Sequence, residues 1–196
     1  MLGFGAFALS GCARLRAGNV PVVQEGFVVQ PEPVAQDNMT GFLAEGDTIY
    51  ISGSINADTV AGFEAVRSSN PDANKLVFLE ADGPVGSDAA FGFARAVRAA
   101  EFSTHLRNDS TISGGAVDAF LGGTQRTMEE GATIGALRGA DAEAHAGFVT
   151  EMTGGDAYAR FAGKFGGRRR PRPMTIAEIG AMGIVSANTG EVIIAN

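Results

Sequence analysis

Along the chain, the spacing of apolar residues switches repeatedly between a two-residue and a three-to-four-residue period. Thr48-Ile-Tyr-Ile51 is rich in β-branched and aromatic residues and predicts a strand. Residues 56–68 carry Val60, Phe63 and Val66 at helical spacing, with Asn56 or Asp58 as N-cap, and Asn70-Pro71-Asp72 ends the helix. Lys75 to Leu79 is a continuous apolar run of the kind a strand shows when both faces are covered. The loop Asp82-Gly-Pro-Val-Gly-Ser87 leads into a helix over 88–100, with Phe91, Ala94 and Val97 on one stripe. Short strands are predicted at Ser103–Leu106 and 110–113, then an apolar helix near 115–121. Arg126–Met128 and Ala132–Ala136 read as strands around the turn Glu129-Glu-Gly131. Helices follow near 141–152 and 156–164, and a last one over Thr175–Met182 opens with a Thr175/Glu178 capping box. Ile184-Val185 and Glu191–Ile194 read as closing strands. Alternating strands and helices imply an α/β fold with a mainly parallel sheet.

The N-terminal 46 residues follow neither period. Leu2–Leu9 is apolar but too short to span a bilayer, which needs about 20 residues. It reads as the apolar core of an export signal. Pro21, Pro31 and Pro33, with Gln24, Gln30 and Gln36, disfavour a helix and make 18–46 a linker. Gly26-Phe-Val-Val29 could form one edge strand within it. The expected division is therefore an export segment over 1–17, a linker or edge strand over 18–46, and a folded domain over 47–196.

Composition narrows the classes. Apolar residues at 45% suffice for a core, and 28 glycines in 196 residues point to tight turns and close backbone contacts. A net charge of -7 argues against nucleic-acid binding, which needs Lys and Arg to neutralise phosphates. One cysteine and two histidines, Cys12, His105 and His145, exclude an internal disulfide and leave little for a metal centre, so no metal is expected.

Leu9-Ser10-Gly11-Cys12 resembles a bacterial lipobox, although no Lys or Arg precedes the apolar run. That resemblance implies lipidation at Cys12, a membrane anchor, and a place in the bacterial cell envelope facing the periplasm. A buried cysteine on an apolar helix is the alternative.

A second resemblance spans about 47–186. Its landmarks are Ile49-Tyr-Ile-Ser-Gly53, the 82–87 glycine loop, Ile112-Ser-Gly-Gly-Ala116, Phe120-Leu-Gly-Gly123, Arg126, Gly131-Ala132, Met174-Thr-Ile-Ala-Glu178 and Gly183-Ile-Val185. In this order they resemble the Clp protease proteolytic subunit and the crotonase superfamily, most of all exported Clp-protease-like proteins. The resemblance implies a ClpP/crotonase-like α/β fold of repeated ββα units. It places a nucleophilic serine nine residues before Gly123, where this chain has Gly114. It places the base at Leu137, and an orienting acid within the stretch Arg168–Pro173, which holds no carboxylate. A leucine cannot accept a proton. No catalytic residue is therefore expected. Ser113 is one residue off and, on a strand, faces the other way. It is a weak nucleophile candidate, and His145 a weak base candidate that reads more simply as a helix-surface residue.

Backbone N–H groups around Gly83, Gly86 and Gly115 could still form an oxyanion-hole-like pocket, or the glycines could serve only close packing. Crotonase relatives bind coenzyme A, but no adenine- or phosphate-binding signature is evident and no cofactor is expected. Asp118, on an apolar helix, would need a partner such as Arg126. Lys164 with Arg168–Arg172 is a basic run that reads as a solvated loop or as attraction to anionic lipid. His105 carries no motif. Three functions follow as expectations: a lipid-anchored, non-catalytic binding or scaffold module with an unknown protein or peptide ligand; a divergent serine hydrolase or peptidase using Ser113; and a homo-oligomeric assembly protein.

Overall fold

The computed structural model describes residues 39–165 and 170–186. A seven-stranded sheet forms its centre. In chain order the strands are β1 (Thr40–Glu45), β2 (Thr48–Ser54), β3 (Lys75–Asp82), β4 (Ser103–Ser113), β5 (Arg126–Met128), β6 (Thr133–Ala136) and β7 (Arg172–Pro173). The helices are α1 (Thr59–Ser69), α2 (Asp88–Ala99), α3 (Gly115–Phe120), α4 (Ala142–Thr153), α5 (Ala157–Gly163) and α6 (Ile176–Ala181). The sheet order is β1-β2-β3-β4-β6-β7, and β5 pairs with β4 beside that path. β1/β2 and β6/β7 are antiparallel; every other pairing is parallel.

The domain starts earlier than the periodicity suggests. β1 lies inside the stretch read as linker, and joins β2 through a tight turn in which Gly46 has φ 59°. Its inward residues Phe42 and Ala44 pack on the core, whereas Leu43 faces out. The proposed strand at Gly26–Val29, Cys12 and the lipobox, and the strand at Glu191–Ile194 lie outside the described residues. Ile184-Val185 is not a strand. Ile184 is nevertheless fully buried, and its carbonyl accepts from Arg126 Nε at 2.8 Å.

Two predicted strands, 103–106 and 110–113, are one. β4 runs through both, with Phe78 opposite Leu106 but Glu80 opposite Thr111. β4 thus takes five steps where β3 takes two, and the extra residues bulge out. Ser110 closes the gap: its hydroxyl donates to the Phe78 carbonyl and accepts from the Arg107 N–H. Before the bulge β4 pairs with β5, and after it with β6. The exposed polar residues Arg107, Asn108 and Asp109 made this bulge look like a turn.

α1 and α2 meet β1 through an aromatic cluster. Phe63 packs edge-on against Phe93 at 5.5 Å and Phe102 at 5.2 Å, and Phe42 closes on Phe93 at 6.1 Å. Phe120 of α3 meets Phe78 of β3 at 5.9 Å. Burying each such side chain contributes about 1.5–3 kcal/mol. α3 and α2 approach until backbone touches backbone: a Cβ on Gly122 would lie 2.3 Å from the Ala94 carbonyl oxygen. Arg98 of α2 then donates to the carbonyls of Leu121, Gly122 and Gly123, and to that of Met152 in α4. One guanidinium satisfies chain ends that would otherwise be orphaned.

Ser87, which the sequence reading did not single out, and Thr175, which it did, both cap helices. Ser87 accepts from the Ala90 N–H at the start of α2, and the Thr175/Glu178 capping box is complete. Glu178 also takes a bidentate pair from Arg172 at 2.8 and 2.9 Å, and that arginine lies over the rings of Phe161 and Phe165. Arg172 is therefore tied down, contrary to the reading of the basic run as a solvated loop. Arg170 is exposed, and Arg168 and Arg169 lie outside the described residues.

Two predictions follow from this packing. Gly122→Ala should cost about 1–3 kcal/mol in urea unfolding by forcing α2 and α3 apart. The Arg172 hydrogen bonds, followed by the Thr175 N–H, hold the Glu178 carboxyl down at about 2 from 4.5. Its folded-state value is depressed, so the stabilising contribution is present above about 4.5 and is lost as pH falls toward 2. Carboxyl NMR titration should find that low midpoint, and Arg172→Ala should move it back up.

Candidate functional site

The carboxyl end of β3, the glycine loop 82–87 and the start of α3 converge on one spot. Gly114 is the N-cap of α3, with φ 59° and ψ -131°, a conformation that only glycine adopts without strain. A Cβ there would lie 2.2 Å from the Gly83 carbonyl oxygen. The position where the resemblance puts a nucleophile therefore holds no side chain and has room for none.

The neighbouring backbone donors are also taken. The Gly115 N–H donates to the Gly83 carbonyl at 2.8 Å. A Cβ on Gly115 would meet the Pro84 carbonyl oxygen at 2.7 Å, so the loop presses directly on the helix start. The Gly86 N–H donates to Asp118 Oδ2 at 2.8 Å. Of the backbone donors expected to form an oxyanion-hole-like pocket, those of Gly86 and Gly115 therefore already have partners within the chain.

Asp118 and His145 pair with each other, deep in the core. Asp118 does not pair with Arg126. Its Oδ1 lies 2.8 Å from His145 Nε2, and both side chains are buried, at 0% and 3% exposure. Arg126 turns instead to the carbonyls of Ile184, Gly123 and Gly183. His145 is not a surface residue. It begins the inward face of α4, which Asp141 caps by accepting from the N–H groups of Glu143 and Ala144. The imidazole stacks on Phe91 at 6.4 Å and meets Tyr158 of α5 edge-on at 5.8 Å. Burial, then the charge of Asp118, pushes the Tyr158 phenol well above its ordinary pKa. Its hydroxyl has no hydrogen-bond partner among the described residues.

Ser113 ends β4, opposite Gly135 of β6. It is half-buried, and no described histidine or carboxylate hydrogen-bonds its hydroxyl. Leu137 follows β6, half-buried, with no acid–base function. The structure thus joins His145 to Asp118 and leaves Ser113 outside that pair.

One constellation escaped the sequence reading. His105 Nδ1 lies 2.8 Å from Thr127 Oγ1, and Nε2 lies 3.3 Å from Glu129 Oε1. Glu129 also accepts from the Asn108 N–H, which is the main reason its carboxyl sits below the ordinary range. The three residues are brought side by side only by the β4/β5 pairing, so no local signal announced them. Among the described residues, no three His, Cys, Asp or Glu side chains group to hold a metal ion.

This sheet order, with helices following the parallel strands, is the ClpP/crotonase fold. Solved structures carry the same fold. ClpP1 from Listeria monocytogenes superposes with a TM-score of 0.52 at 13% identity, over 71% of this chain and 89% of that one. The 1510-N membrane-bound stomatin-specific protease gives 0.51 at 17%, over 74% and 80%. A putative enoyl-CoA hydratase from Streptomyces avermitilis gives 0.50 at 9%, over 76% and 67%. At these identities the likeness is one of fold. No protein-family model matches the chain, and no curated protein matches it either.

The close contact at Gly114 yields a test. Gly114→Ser should destabilise the protein by about 2 kcal/mol or more in urea unfolding, and the new serine should stay unreactive toward fluorophosphonates.

Proposed function

We propose that this chain is a non-catalytic member of the ClpP/crotonase fold class: an exported, lipid-anchored protein that serves as a binding or scaffold module. The observation that carries the reading is the closed glycine loop. The Gly83 carbonyl lies beside Gly114, which carries no side chain, and takes the Gly115 N–H, and both features support a reading without nucleophile or free oxyanion donor there. Hydrolysis in this manner needs both, and loss of one typically costs several powers of ten in rate. Leu137 and the arginine-rich segment before Met174 support the same reading.

The export and anchoring part rests on Leu9-Ser10-Gly11-Cys12 after the short apolar run. The lipid on Cys12 would hold the domain at the periplasmic face of a bacterial membrane. A protein or peptide is the ligand class in keeping with a module of this kind, and self-association into a homo-oligomer is compatible with it.

The second reading, a divergent hydrolase using Ser113, is favoured only by that serine's place at the end of β4. Fluorophosphonate labelling of the purified protein starting at Ala13, beside Ser113→Ala, separates the two. The binding-module reading expects no labelling with an intact fold by circular dichroism. Strong labelling abolished by the substitution would overturn it.

A further inference from the structure

Asp118 is the one fully buried carboxylate among the described residues. Burying such a charge without partners is expensive, and the surroundings meet it with donors. Oδ2 accepts from the Gly86 N–H at 2.8 Å, and Oδ1 lies 2.8 Å from His145 Nε2. Gly86 has φ 68°, and a Cβ there would sit 3.7 Å from His145 Cβ, so loop and imidazole form adjoining walls. Phe91 and Phe148 stack at 4.1 Å, and Phe91 also stacks on the imidazole.

A second, independent observation marks the place. The Tyr158 hydroxyl is wholly buried with no hydrogen-bond partner among the described residues, although its ring packs on His145 and the charge of Asp118 reaches it. A buried, unused donor beside a buried carboxylate is spare capacity for an anion.

We propose that the Gly86 N–H and His145 Nε2–H form a small-anion site whose resident occupant is the chain's own Asp118 carboxylate, with the Tyr158 hydroxyl beside it as an unused donor, and that the site takes a free one-carbon carboxylate once that side chain is removed. Formate is the matching ligand. Asp118→Ala deletes one carboxylate and keeps Cβ, and formate restores two oxygens in a plane at the vacated volume. Chloride is a single sphere and does not reproduce two oxygens held apart by one carbon. The inference rests on the closed-loop reading for the position of Gly86, but its readout does not involve Ser113.

The test is thermal unfolding of the unmodified protein, Asp118→Ala and Asp118→Asn in sodium formate and in sodium chloride of equal ionic strength. Formate should raise the Tm of Asp118→Ala with the logarithm of its concentration above Kd, by about 3 °C or more at ten times its Kd. The unmodified protein and Asp118→Asn, whose sites are filled, should not respond. No formate-specific rise in Asp118→Ala, or an equal rise in all three, overturns the proposal. Should Asp118→Ala fail to fold in chloride, refolding in formate decides: recovery supports the site, and failure counts against it. In the unmodified protein the Gly86 amide should exchange as slowly as those of β3, and nitrogen NMR should find His145 protonated at Nε2. A fast Gly86 amide or an Nδ1-only proton would also overturn it. Labelling of Ser113 by a fluorophosphonate would sink the non-catalytic reading and leave the formate result standing.

Discussion

The structure depends on one backbone-to-backbone contact: the glycine loop after β3 lying flat against the first residues of α3. The hydrogen bond from the Gly115 N–H to the Gly83 carbonyl is its centre. It exists because neither Gly114 nor Gly115 carries a Cβ, which would fall 2.2 and 2.7 Å from carbonyl oxygens of the loop. Close approach of this kind leaves no space to share. The contact that joins loop to helix is also the one that occupies the Gly115 N–H.

Asp118 ties this junction to the rest of the molecule. Its carboxylate reaches back to Gly86 in the loop and across to His145 at the head of α4. Three segments distant in sequence are thereby fixed around one charge. Breaking a buried pair of this sort typically costs about 3–5 kcal/mol, because the surviving partner is left unpaired. Arg98 plays a comparable part at the other end of α3, where it gathers three carbonyls from the C-cap and exit turn, Leu121–Gly123, and one from α4. A short six-residue helix with little intrinsic stability is held by polar anchors at both ends.

Periodicity made most of the elements legible. α2 was visible because Phe91, Ala94 and Val97 repeat at helical spacing after the glycine loop, and β3 because Leu76–Phe78 is an unbroken apolar run. The order of glycine motifs was enough to suggest the ClpP/crotonase fold. The failures have physical reasons. β1 looked like linker because proline-rich sequence precedes it and only alternate residues face the core. β4 looked like two strands because its bulge is polar and its missing ladder bond is supplied by the Ser110 side chain. His145 looked like a surface residue because its alanine-rich neighbours give no sign of which face of α4 turns inward.

What the sequence determined by itself was local: which residues bend, cap, alternate or repeat, and that positions 114 and 137 hold a glycine and a leucine. These follow from torsional preference and side-chain chemistry, which a residue carries wherever it sits. Only the tertiary structure decided who meets whom. Asp118 finds His145 rather than Arg126, and His105 finds Thr127 and Glu129, because sheet register and helix docking set those distances. A pairing between segments 20 or 30 residues apart leaves no trace in either segment alone, since each partner's preference for a hydrogen bond can be met by many others until packing excludes them.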